Sequence, residues 1–230
     1  MNPKKRFGFD QIQGNISIII ILTLIAALIL EFIKQRWEFF FITVLALVLI
    51  VAIYYFQGKS GIHLPSGLQL SIILFIYGGV FLGGVQNFYL RFWWWDSLLH
   101  LFSGFTLALI AFGIMYFLYK TEKIKANFVF IAVIVFSLSM TIGTVWEVYE
   151  FAADNTFGLN MQKARNLCPA TGACDSRLGL LDTMKDTILN AVGALLVSIL
   201  GYIYLKNGEQ FFLNKIMKRF VRKNPRLFFK

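Results

Sequence analysis

The sequence predicts an all-α integral membrane protein, a polytopic bundle of about six transmembrane helices with both termini in the cytoplasm. Three observations carry this. Hydrophobic residues make up 58% of the chain and charged residues only 15%, with a mean hydropathy of +0.68, more apolar surface than a soluble domain of this length can hide. Apolar runs close to the ~20 residues needed to cross a bilayer recur along the chain. No polar linker divides it, so residues 1–205 read as a single transmembrane helical domain and 206–230 as a basic tail.

The elements follow in order. A polar start carrying Lys4, Lys5 and Arg6 precedes the first apolar run, 16–33, too long for a cleaved signal and followed by further spans. A turn with Lys34 and Arg36 leads to the second run, 39–56. Gly, Ser and Pro mark the loop 57–67. The third run, 68–90, contains Gly79 and Gly83, a spacing that lets another helix approach closely. Trp93, Trp94 and Trp95 form an aromatic belt of the kind found at a membrane–water interface. The fourth span is 96–119, and Lys120, Lys123 and Lys125 separate it from the fifth, 128–154. A polar segment, 155–179, precedes the sixth span, 180–205.

Basic residues set the orientation. With the N-terminus inside, the cytoplasmic face collects the N-terminal cluster, Lys59, the 120–125 loop and the tail. The opposite face collects only Lys34, Arg36, Arg91, Lys163, Arg165 and Arg177. The net charge of +10 would also suit nucleic acid, but these positions at helix ends serve anchoring and topology, so no nucleic-acid partner is expected. The tail reads as an amphipathic helix on the cytoplasmic leaflet, with Phe211, Phe212, Ile216 and Phe220 toward lipid. Lys215, Lys218, Arg219, Arg222 and Lys223 would meet anionic headgroups.

This topology brings three polar clusters to the outer ends of three spans. Asp96 and His100 start the fourth span; Glu147, Glu150 and Asp154 end the fifth; Asp182, Asp186 and Asn190 start the sixth. At about 100° per residue each group forms one stripe on its helix. Carboxylates at such depth must be paired, protonated or bound to a cation, which makes them functional candidates. Arg91 and Lys185 offer little counter-charge, so a divalent cation is the economical solution. One imidazole, one amide and several carboxylates suit Mg²⁺, Mn²⁺, Zn²⁺ or non-haem iron. The candidate metal ligands are Asp96, His100, Glu147, Asp154, Asp182, Asp186 and Asn190. Plainer readings stand beside this one: an Asp96–His100 hydrogen bond, glutamates snorkelling at the interface, Asn190 with Gly193 as interhelical glue, and a surface pair of Lys185 with Asp182.

These residues also carry a resemblance. WDSLLH followed by SG, WEVYEF with a later Asp, and LLDTMKDTILNAVGA resemble the YjdF-like bacterial membrane proteins, a family of unknown function. More loosely they are similar to the VanZ-like family. The resemblance spans about 96–201 and implies a shared polar site but no reaction; the VanZ-like association with glycopeptide resistance implies cell-envelope chemistry at most.

Cys168 and Cys174, on the outer side in CPATGAC, read first as a disulfide. The segment that holds them is long for a connection and reads equally as a lid or as a solvated loop. Two functional classes remain. One is a metal-dependent enzyme on a lipid or cell-envelope substrate, with His100 or Glu150 as general base and Arg91, Lys185, Arg165 or Arg177 receiving an anionic group. The other is a cation- or proton-coupled transporter. A structural membrane subunit is what remains if the cavity holds nothing.

Overall fold

The computed structural model describes residues 4–163, 177–207 and 212–229. Among these the structure is helical without strands: α1 (Lys4–Ile33), α2 (Trp37–Ser60), α3 (Ser66–Ile76, continuing as a π-helix over Tyr77–Val85), α4 (Phe88–Arg91), α5 (Trp95–Lys120), α6 (Phe128–Phe157), α7 (Leu178–Asn207), α8 (Phe212–Lys223) and α9 (Pro225–Phe228). Six helices are long and apolar enough to cross a membrane, namely Gln11–Ile33, Trp37–Ser60, Ser66–Val85, Trp95–Lys120, Phe128–Phe157 and Leu178–Asn207. The chain is an all-α, multi-pass membrane protein. Its contacts group into two compact units, Met1–Trp95 with Glu209–Lys230, and Asp96–Gly208.

In the first unit, Leu24, Ile50, Ile73 and Phe81 from α1, α2 and α3 build the core. Glu31 is buried there; its Oε2 lies 2.9 Å from the Thr43 hydroxyl and its Oε1 4.0 Å from the Arg36 guanidinium. The third span stops at Val85 rather than running to residue 90. The chain widens into a π-helix and turns through Asn87 at φ 58°, a left-handed conformation Asn tolerates better than most residues. At Gly83 the Tyr89 ring of the chain's own short α4 fills the space where a Cβ would stand. The glycine spacing admits this aromatic ring.

The tail forms the expected helix over Phe212–Lys223; Phe211 and the side chain of Phe212 lie outside the described residues. Leu213 and Met217 are its buried apolar residues, whereas Ile216 and Phe220 are only partly covered. Asn224, also buried, accepts the His63 N–H at 2.7 Å and donates to the His63 carbonyl at 2.8 Å. Arg219 Nη1 donates to Ser66 Oγ at 3.3 Å. The tail is thus clamped to the α2–α3 connection. Asn224→Ala deletes a two-bond clamp worth about 1–3 kcal/mol. It is expected to raise tryptic cleavage at Lys215 and Lys218 about tenfold through local opening. Unchanged cleavage rates would mean that the apolar contacts alone hold the tail.

The second unit is the three-helix bundle α5, α6 and α7. Asn127 caps α6 by accepting the Phe130 N–H at 2.7 Å, and Gly158 ends it in a left-handed conformation at φ 66°. Where α5 crosses α7, glycines remove the side chains that would hold the backbones apart. A Cβ at Gly104 would stand 2.8 Å from the Asn190 carbonyl carbon, and one at Gly193 would stand 2.7 Å from the Phe105 nitrogen. Gly201 makes the same room for the Phe112 ring farther along. The Trp95 end of α5, the Phe157 end of α6 and the Leu178 end of α7 carry the acidic stripes described next.

Candidate functional site

The glycine crossing determines what the short acidic side chains can reach. His100 stands one turn before Gly104, and Asp186 two turns before Gly193, so the close approach of the two backbones aims them at each other. Asp96, in the first turn of α5, joins from one turn further out. His100 Nε2 lies 3.7 Å from Asp96 Oδ1 and 3.9 Å from Asp186 Oδ2. Asp96, His100 and Asp186 each offer one ligand atom, all within 4.8 Å of one another. On the other side of the ring, His100 Nδ1 faces Glu147 Oε1 at 3.5 Å.

Burial makes this arrangement costly as it stands. Asp186 is 1% exposed and Glu147 5% exposed, and apart from the long 3.5 Å approach of His100 Nδ1 to Glu147 Oε1 their four carboxylate oxygens have no hydrogen-bond partner among the described residues. The remaining charges come from two lysines. Lys163 Nζ pairs with Asp96 Oδ2, and Lys185 Nζ lies 3.6 Å from Asp182 and 3.7 Å from Asp186. Lys185 is largely exposed, so its attraction is screened by water, and it does not offset the concentration of buried carboxylates.

The other candidates take distinct positions. Glu150 is buried and accepts the Trp146 indole N–H at 2.8 Å, a pairing along one helix that fixes its carboxylate. Asp154 shares the stripe but is occupied: its oxygens accept the backbone N–H groups of Met161 at 2.7 Å and Gln162 at 3.0 Å. Asn190 sits at the helix crossing. Its Oδ1 is 3.2 Å from Ser103 Oγ and its Nδ2 3.5 Å from the Ser139 carbonyl, while Ser139 Oγ donates to the Gly104 carbonyl at 3.0 Å. These contacts bind α5, α6 and α7 together, the role of interhelical glue. Arg91 belongs to the first unit and is exposed, and Arg177 is exposed at the start of α7. Cys168, Cys174 and Arg165 lie outside the described residues.

Sequence reasoning missed Lys163 as a member of the site. Residues 158–163 run from the end of α6 back over the cluster, held to α6 by Asp154, to α7 by the Gln162 amide donating to Thr183 at 2.8 Å, and to α5 by Lys163 on Asp96. No spacing rule signals a lysine in a polar loop that returns to an aspartate more than sixty positions earlier in the chain. Beside Glu147 a cleft of about 750 Å³ opens between α6 and α7, running along both helices from Thr144 and Thr187 to Asn155 and Gly179.

Comparison with known proteins agrees with the membrane assignment. An uncharacterised protein of Thermotoga maritima is 26% identical over 164 residues, which cover 69% of this chain and 73% of that one. No solved structure matches the chain. The family model described as predicted membrane protein, DUF2238, matches residues 16–207 and fits the YjdF-like resemblance. With most of its length covered by that match, including all of α5, α6 and α7, the chain belongs to the DUF2238 family of predicted membrane proteins.

Proposed function

We propose that this protein is a divalent-metal-dependent enzyme acting on a lipid or cell-envelope substrate at the outer face of the membrane. The reading rests on one observation: Asp96, His100 and Asp186 present ligand atoms within 4.8 Å of one another in a buried space. The donor set fits a cation. Asp186 oxygens without hydrogen bonds would be costly in low dielectric unless a positive charge accompanied them. His100 presents Nε2 to the two aspartates and Nδ1 to Glu147. That is the carboxylate–histidine–metal pattern, with Glu147 orienting the ring from behind and not serving as a ligand. A bound divalent cation would supply a Lewis acid for a phosphoryl or carbonyl oxygen and a water of lowered pKa.

The chain's own residues have separable tasks. Glu147 holds the imidazole tautomer that leaves Nε2 free to donate. Glu150, fixed by Trp146, is the buried carboxylate available as a general base. Lys163 balances Asp96 and closes the loop over the cluster, and Lys185 is placed to receive an anionic group from the water side. The interior beyond Asn190 favours an enzyme over a transporter. There Phe112, Tyr116 and Tyr204 pack with ring centroids 5.8–6.2 Å apart, and a permeation path would have to pass this plug. Placement at the outer face rests on the distribution of basic residues. At the opposite face, the exposed Lys215, Lys218 and Arg222 would each add about 1 kcal/mol of attraction to anionic headgroups.

Glu147→Gln tests the orienting role. It keeps the shape while weakening the acceptor for the imidazole N–H, so affinity for Zn²⁺ or Mn²⁺ is expected to fall about 10–100-fold without unfolding the protein. Titration calorimetry on the purified protein reads this directly. An unchanged affinity would remove Glu147 from the site, and absence of binding by the wild type would remove the metal.

A further inference from the structure

Two lysines face the acidic cluster, and they are not equivalent. Lys185 stands 3.6 Å from Asp182 and 3.7 Å from Asp186, but its side chain is 46% exposed, so water screens it. The Lys163 side chain is 17% exposed, and its Nζ pairs with Asp96 Oδ2. The other oxygen, Asp96 Oδ1, is the one that lies 3.7 Å from His100 Nε2. One carboxylate thus turns one oxygen toward His100 and the other toward a largely buried ammonium. Lys163 supplies the positive charge that a buried Asp96 requires.

The chain that delivers this lysine is anchored away from the cluster. Asp154 accepts the N–H groups of Met161 and Gln162, and the Gln162 amide donates to Thr183 at 2.8 Å. Those anchors lie on α6 and α7 and use none of Asp96, His100 and Asp186. Lys163 follows at φ 53°, a left-handed conformation in which an L side chain is crowded. A residue keeps such a conformation where its surroundings over-determine it, and the Asp96 pair is one of the contacts that do so. Loss of that pair would leave 158–162 anchored and let the Lys163 side chain turn toward water, a swing confined to one residue.

A cation held by Asp96, His100 and Asp186 would compete with this ammonium. At roughly 2.0–2.6 Å from an Asp96 oxygen it would stand about 4–5 Å from a lysine on the same carboxylate, where two positive charges away from water repel. Linkage makes the competition reciprocal: the factor by which Lys163 weakens the metal is the factor by which the metal loosens Lys163.

We propose that Lys163 is a tethered cation that holds the metal's place: it neutralises Asp96 until a divalent cation arrives, and that cation loads the site by displacing it. This names the regulation of the centre proposed above and rests on that reading. The strap over the cluster is a lock that the metal itself opens.

The test uses the full chain in mild detergent, with Mn²⁺ as the probe. Calorimetric titration is expected to give Lys163→Met an affinity about tenfold above the wild type, because the competitor is gone. Lys163→Arg should fall about tenfold below it, because a guanidinium holds a carboxylate through two hydrogen bonds. A lysine that merely braced the strap would give the opposite sign for Lys163→Met, since Asp96 would be left loose. The wild type carries its own readout. Acetylation of Lys163 by an N-hydroxysuccinimide ester, followed by mass spectrometry, should speed up about tenfold when Mn²⁺ saturates the protein. Lys125, exposed in the α5–α6 connection, should keep its rate. A Lys163→Met affinity at or below the wild type, or Lys163 labelling that ignores Mn²⁺ in protein that calorimetry shows to be loaded, would overturn the displacement and leave the metal centre standing. Absence of Mn²⁺ uptake by the wild type would remove the metal centre, and the displacement with it.

Discussion

His100→Ala and Asp186→Asn are each expected to abolish stoichiometric binding of divalent metal, a loss of more than about 100-fold in affinity, because each removes one of three ligands at a three-ligand site. Stability should respond with opposite signs in the two states. In the wild type, metal at about 100 times its dissociation constant adds about 2.7 kcal/mol, and chelator removes that increment. Asp186→Asn should erase this chelator effect. Without metal the same variant is expected to melt at or above the wild type, since an uncharged amide replaces a buried carboxyl group that faces Asp96 and Asp182. His100→Ala leaves those carboxylates in place and should share the loss of metal without the gain in apo stability. Thermal unfolding of the three proteins with and without chelator, alongside metal analysis, measures both effects. A wild type whose melting ignores chelator and added Mg²⁺, Mn²⁺, Zn²⁺ and Fe²⁺ would sink the metal reading. The buried carboxylates would then serve proton transfer or packing.

Gly193→Ala is expected to destabilise the protein by about 2–3 kcal/mol, and occasionally more where backbone must move. Its new methyl would meet the α5 backbone at Leu101 and Phe105, atoms that cannot rotate away. The α5–α7 crossing must open. Asp186, two turns along α7, would then move away from His100, so metal affinity should fall in the same variant although no ligand has changed. Gly113→Ala provides the matched comparison: it lies in α5 with nothing within 4 Å of the new Cβ, and helix propensity makes it neutral or up to about 1 kcal/mol stabilising. Equal melting temperatures for the two alanine variants would show that the close crossing does not hold the bundle together. Normal metal affinity in a destabilised Gly193→Ala protein would uncouple the crossing from the site.

Six spans were readable in the chain because hydropathy and length are local properties: each apolar run declares itself without its neighbours. The helix period likewise put Asp96 with His100, Glu147 with Glu150 and Asp154, and Asp182 with Asp186 and Asn190. Helix ends were less legible. The third span closes at Val85 because a π-helix and a left-handed Asn87 turn the chain back, and apolar residues beyond that point continue the pattern without continuing the helix. The tail's amphipathic character was visible, yet the side that carries Leu213, Met217 and Asn224 is the buried one, and Asn224 is held by His63 in the α2–α3 connection, a partner the tail's own sequence does not specify.

The sequence by itself therefore determined a membrane-spanning all-α chain and three acidic stripes at one depth, since periodicity and composition decide which residues share a helix face. Only the tertiary structure decided which members of those stripes meet. Asp154 lies on the stripe of Glu147 but spends its oxygens on the N–H groups of Met161 and Gln162, because the loop after Gly158 folds back within its reach. Asn190 ties helices together because Gly104 and Gly143 leave it the space. Lys163 reaches Asp96 from a loop with no periodicity to read. The orientation of His100, one nitrogen toward Asp96 and Asp186 and the other toward Glu147, depends on how closely glycines let two backbones cross. Such distances between elements depend on packing across the whole bundle, and no single stretch of sequence encodes them.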